Sequence, residues 1–115
     1  MYMVMLVLND PQQLDDVLQE WQDIGINGAT ITESTGAHRR SVKRIGGRYF
    51  MGLAQPTAIE EGHYTIFVIV ASEQRVQACI EAAEKVTGDL DGPDTGVLAA
   101  WQLDIVKGVP AKDDE

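Results

Sequence analysis

Two stretches of this chain are apolar almost from end to end: Met1 to Leu8, M-Y-M-V-M-L-V-L, and His63 to Ala71, H-Y-T-I-F-V-I-V-A. Both are far shorter than the ~20 residues needed to cross a bilayer. Polar alternate positions, the mark of a strand with one wet face, are almost missing. Both stretches therefore read as strands buried on two sides. In the first, Tyr2, Val4, Leu6 and Leu8 share one side while Met3, Met5 and Val7 share the other. A sheet built on such strands must have each of its faces covered.

Two amphipathic helices are available as cover. Asp10 is a favoured N-cap, Pro11 suits the first helical position, and Gln13 stands where a capping box would place it. Leu14, Val17, Leu18, Trp21 and Ile24 then recur at helical spacing, with Asp15, Asp16, Glu20 and Asp23 on the opposite face. Gly25 is a natural end. The second helix is capped by Ser72, carries the stripe Val76, Cys79, Ile80, Ala83 and Val86, and stops at Gly88. Ala29 to Glu33 is β-branched and alternating, and reads as a second strand. Val97 to Val106 reads as the last, with Val97, Ala99, Trp101, Leu103 and Ile105 on one side.

The resulting order, β-α-β-β-α-β, predicts an α+β fold: a ferredoxin-like sandwich with an antiparallel sheet and two helices on one face. The chain of 115 residues, 44% hydrophobic, fits a single domain over 1–115. Two helices cover only one face of the sheet. A symmetric oligomer is the simplest cover for the other.

Residues 35–61 are too long for a hairpin loop, and loops of that length in a small domain are usually functional. The net charge is -9, yet five of the nine basic residues, Arg39, Arg40, Lys43, Arg44 and Arg48, fall within ten positions of this segment. No acid occurs between Ser34 and Ile59. An acidic protein with one cationic arm is suited to contact an anionic ligand or partner surface. The acidic balance argues against general nucleic-acid binding. The apolar N-terminus lacks a basic region and a small-residue cleavage site, so it reads as a strand and not as a leader, and the protein is expected in the cytoplasm. Cys79, the single cysteine, sits on the apolar stripe of its helix and reads as a small buried hydrophobe.

Catalytic signals are missing. Ser34, Ser41 and Ser72 have no nucleophile elbow around them, and His38 and His63 do not have the spacing of a zinc motif. The chain is expected not to be an enzyme. Trp21 and Trp101 fit core or interface positions.

Two segments carry a family resemblance. I-G-I-N-G-A-T-I-T-E at Ile24 to Glu33, followed by Gly36 and Arg39, resembles the helix end, second strand and T-loop approach of the PII and PII-like nitrogen-regulatory signal-transduction superfamily. V-Q-A-C-I-E-A-A-E-K-V-T-G at Val76 to Gly88 resembles the second helix of that superfamily with its Thr-Gly exit. The likeness extends over roughly the whole chain. It implies a homotrimer whose sheets line a central axis, with clefts between subunits that bind an adenine nucleotide or another small anionic effector. It also implies a T-loop, here 35–61, through which a partner enzyme or membrane transporter is regulated. By that resemblance Leu8, Thr30, Gly36, Arg39, Thr87 and Gly88 are effector-binding positions. Arg40, Lys43, Arg44, Arg48 and Tyr49 are partner-contact positions on the loop.

The chain also departs from the family pattern. The family's turn after the second helix reads Thr-Gly-x-x-Gly-Asp-Gly-Lys and holds phosphates on main-chain N–H groups and the lysine. Here it reads T-G-D-L-D-G-P-D-T-G: there is no lysine, Asp89, Asp91 and Asp94 add negative charge, and Pro93 removes a donor. The last strand lacks the family's arginine pair, and Arg40 replaces a glutamine used for metal and oxo-acid binding. These differences argue against ATP held in the usual manner and towards a smaller anion, bicarbonate, a mononucleotide, a cyclic dinucleotide or a metal. A second reading is a metal-binding trimer of the related CutA type, with His38, His63 or the aspartate trio as ligands. A trimeric enzyme is the third.

Overall fold

The computed structural model describes residues 1–34 and 63–109. The elements follow the expected order: β1 (Tyr2–Leu8), α1 (Leu14–Asp23), β2 (Thr30–Ser34), β3 (His63–Val70), α2 (Glu73–Thr87) and β4 (Gly96–Gln102). The strands form one antiparallel sheet, ordered β2-β3-β1-β4. The two most apolar strands, β1 and β3, are its central pair, as burial on both faces requires. The fold is the ferredoxin-like α+β sandwich.

The helix-covered face holds the core. Val4, Leu6 and Leu8 of β1 and Ile66, Val68 and Val70 of β3 meet Val17 and Trp21 of α1 and Val76, Cys79, Ala82 and Ala83 of α2. Burying each large side chain contributes about 1.5–3 kcal/mol before entropy is counted. Ile80 and Val86, at the edges of the α2 stripe, are only partly buried.

The helix ends follow from local chemistry. Gly25 adopts φ 86, a conformation costly for any residue with a Cβ. It lets its own N–H bond to Gln22 O at 3.0 Å and the Ile26 N–H reach back to Trp21 O at 2.8 Å. This pair of bonds is the Schellman closure, and Ile26 and Trp21 belong to the same core. At the start of α2 the Ser72 hydroxyl accepts from Arg75 N–H at 3.2 Å, as expected. The start of α1 differs from the expectation. Residues Pro11–Gln13 form a 3-10 turn, the Asp10 carboxylate accepts from Gln12 N–H at 3.0 Å, and α1 begins at Leu14. No capping box forms, because the Gln13 amide donates instead to Val86 O, at 3.4 Å.

The last strand is also shorter than the alternation suggests. β4 ends at Gln102, opposite Tyr2, and one further bond, Leu103 N–H to Met1 O at 2.9 Å, closes the ladder. Ile105, past that rung, is 87% exposed.

The second face carries no helix. Across it run the rows Ile69, Met3, Trp101; Thr30, Phe67, Met5, Ala99; and Thr32, Thr65, Val7, Val97. Apolar side chains dominate the first two rows and make up half of the third. Val97 and Trp101 are 57% and 45% exposed.

Candidate functional site

One end of the sheet gathers most of the described positions that the sequence points to. Glu33, Tyr64, Leu8 and Gly96 form a single row there, one residue from each strand. α2 runs back to this end, so Thr87 and Gly88 open the turn that leads into β4 at Gly96. Leu8 is fully buried beneath the helices. It can shape the sheet end and offer main chain, but its side chain belongs to the core. Thr30 is exposed at the start of β2, opposite Phe67 and on the open face. The structure does not bring Thr30 and Thr87 together within one chain. β2 and β4 are opposite edges, three strand spacings or about 14 Å apart.

The turn from Gly88 to Gly96 is closed on itself. Gly88 N–H donates to Glu84 O at 3.0 Å. Leu90 N–H donates to the Glu84 carboxylate at 3.0 Å, and Asp91 N–H to the Asp89 carboxylate at 2.9 Å. Gly92 N–H donates to Asp89 O at 2.9 Å. Pro93 has no N–H to give. The Thr87 hydroxyl donates to Gly88 O at 2.8 Å and the Thr95 hydroxyl to Gly92 O at 3.1 Å. Leu90 packs against the core, which anchors the turn. Gly96 adopts φ 147, and a Cβ there would lie 2.5 Å from Val7 O, so only glycine fits where the turn enters the sheet. The family's turn offers free amides to phosphates. Here four amides are already engaged, two by carboxylates, those of Glu84 and Asp89, and two by main-chain carbonyls of the same residues.

Gly36 and Arg39, and the loop positions Arg40, Lys43, Arg44, Arg48 and Tyr49, lie outside the described residues, as does His38. Among the described residues no group of three His, Cys, Asp or Glu side chains is placed to hold a metal ion, so Asp89, Asp91 and Asp94 do not assemble one. Cys79 is buried in the core. Burial pushes its thiol from the ordinary 9.0 up to about 12, against a smaller opposing pull from the Arg75 guanidinium. A thiol so placed is inert. No helix among the described residues is long and apolar enough to cross a membrane.

The sequence matches no protein-family model and no curated protein. Among solved structures, that of B. subtilis GlnK matches with a TM-score of 0.59 and 18% sequence identity, covering 90% of this chain and 84% of that one. At that level of identity the likeness speaks to architecture. This chain has the fold of GlnK over nearly its whole length.

Proposed function

We propose that this chain is a divergent PII-like signal-transduction protein: a homotrimer that binds a small effector in clefts between subunits and regulates a partner through its basic loop. The observation that carries the reading is the open apolar sheet face on a GlnK fold. Met3, Met5, Val7, Phe67, Ile69, Val97 and Trp101 need cover, and copies of the same chain supply it symmetrically. GlnK is a PII protein, and the sequence resemblance names the same superfamily.

In this reading Thr30, Gly36 and Arg39 of one subunit face Thr87, Gly88 and the following turn of the next, with Leu8 shaping the sheet end between them. Arg39 holds the effector's negative charge through its planar fork. The self-satisfied turn favours an effector smaller than a nucleoside triphosphate, since four of its amides are already engaged and Asp89, Asp91 and Asp94 repel added charge. Effector binding selects one state of the 35–61 loop. Arg40, Lys43, Arg44, Arg48 and Tyr49 then meet or leave an acidic surface on a cytoplasmic enzyme or transporter. The energy for that switch is the difference in effector affinity between the two loop states. The protein is a switch and not a catalyst.

Light scattering on the full chain is expected to give three times the 12.6 kDa chain mass. A monomer in dilute solution refutes the assembly. Thermal-shift screening with adenine nucleotides, cyclic dinucleotides and bicarbonate is expected to find one stabilising class, lost in Arg39→Ala. Stabilisation by divalent metal alone, lost in His38→Ala, would replace this reading with the CutA-like one.

A further inference from the structure

A cavity of about 370 Å³ opens at the end of the sheet remote from the turn, between the C-terminus of α1 and the first turn of α2. It lies the length of β1, about 20 Å, from Leu8 and the Thr87–Gly88 turn, while Thr30 follows the lining residue Gly28 by two positions. Ile26, Val70 and Ala71 form an apolar wall. Gly25 and Gly28, at φ 86 and 77, form another, and a Cβ added at Gly28 would meet nothing within 4 Å. Among the described residues Arg75 is the single charged side chain in the lining, and none of them contributes an acid to it.

Arg75 is half-buried and held in place. Its Nη2 donates to Ile24 O at 2.6 Å, which anchors the guanidinium at the end of α1. That bond uses one N–H and leaves others of the planar fork available. Among the described residues no carboxylate lies within 4 Å of it. A partly desolvated cation without a counter-ion is the costly half of an ion pair. Because its position is already fixed, an arriving anion loses little further freedom in engaging it.

We propose that this cavity binds a small aliphatic monocarboxylate, with its carboxylate on Arg75 and its hydrocarbon part against Ile26, Val70 and Ala71. One guanidinium balances one negative charge, which favours a monoanion over a phosphate dianion. The volume is at the low end of the roughly 300–1,000 Å³ of ligand pockets, so the ligand is metabolite-sized. This site lies at the opposite end of the sheet from the Thr87–Gly88 turn.

The test is titration of the full-length ¹⁵N-labelled chain with sodium butyrate, followed by two-dimensional NMR, with inorganic phosphate and butylamine at matched ionic strength as controls. Butyrate is expected to give saturable shifts at the amides of Gly25, Gly28 and Ala71 and at the Arg75 Nε–H. Arg75→Lys, which keeps the charge and loses the fork, is expected to weaken binding about tenfold or more. Ala71→Leu fills the cavity without touching the Arg75–Ile24 bond, and is expected to abolish binding while the Arg75 Nε–H signal stays in place. The proposal is overturned by a response to butyrate that does not saturate, by an equal response to phosphate or butylamine, or by undiminished binding in either variant.

Discussion

The indole of Trp21 in α1 donates its Nε1 proton to the main-chain carbonyl of Cys79 in α2, at 3.1 Å, inside the seam between the two helices. Trp21 is 1% exposed, so this bond ties the helices together where water does not compete. Trp21→Phe keeps an aromatic ring but removes the donor and part of the volume. The expected loss is about 2–3 kcal/mol, read from urea unfolding by circular dichroism. An unchanged midpoint would mean that the seam repacks freely.

Cys79 also makes the fold sensitive to alkali. Its thiol keeps its proton to about 12 in the folded protein, against 9.0 ordinarily. The folded-state value is raised, so the contribution to stability is complete below pH 9 and fades as pH rises through about 12. Unfolding experiments across that window should show wild type losing stability more steeply than Cys79→Ala, by up to about one proton. Parallel slopes would show that the thiol ionises as easily in the core as in the open chain.

Two glycines at the ends of one turn separate steric from conformational cost. At Gly88 an added Cβ meets nothing within 4 Å, and the penalty of Gly88→Ala is that of φ 84 alone, about 1–2 kcal/mol. At Gly96 the same change drives a methyl into Val7 O, so the first rung of β4 must break. Gly96→Ala should cost well over about 2 kcal/mol or prevent folding. Comparable denaturation midpoints for the two variants would contradict this.

If copies of the chain cover the open sheet face, as proposed, a charge on it should break the assembly. Val97→Glu places one on the exposed part of that face in edge strand β4, beside Val7, while touching nothing in the core. Light scattering should then report the chain mass in place of its triple, with an unaltered circular dichroism spectrum. A trimer that survives both Val97→Glu and Trp101→Glu would place the contact elsewhere.

Glu84 governs the turn. Removing its carboxylate by Glu84→Ala leaves Leu90 N–H without its acceptor. Hydrogen exchange at Leu90 should quicken, with a stability loss of about 1–2 kcal/mol. With Asp89→Ala added, two amides are released and two carboxylates are removed, and nucleotide or phosphate affinity should rise. If it does not, the closed amides are not what disfavours phosphate.

Most of the fold was legible because periodicity reports burial. The doubly apolar β1 and β3 had to be central, and the stripe containing Val17 and Trp21 had to face them. Gly25 marked a helix end because only a residue free of a Cβ adopts its conformation cheaply. What could not be read depended on partners distant in sequence. β4 was expected to reach Val106, but its pairing with β1 ends at Gln102. Gln13 looked like half of a capping box, yet its amide goes to Val86, 73 positions away. The site was legible as a set of residue types and not as geometry. Asp89 was visible as a charge, but its service to its own turn's amides was not. Glu84 looked like one more acid on a wet helix face. Arg75 gave no signal at all, since its partner Ile24 is 51 positions off and a lone arginine in a first helical turn is ordinary.

The placement of β2 and β4 on opposite borders of the sheet has a consequence for measurement. A molecule small enough to fit a metabolite cleft and to grip both borders cannot do so on one polypeptide. If, as proposed, the effector is shared between two copies of the chain, its apparent affinity should fall as the protein is diluted. Binding curves recorded at nanomolar and micromolar chain concentrations should not superimpose, and the gap between them measures how strongly ligand and assembly support each other.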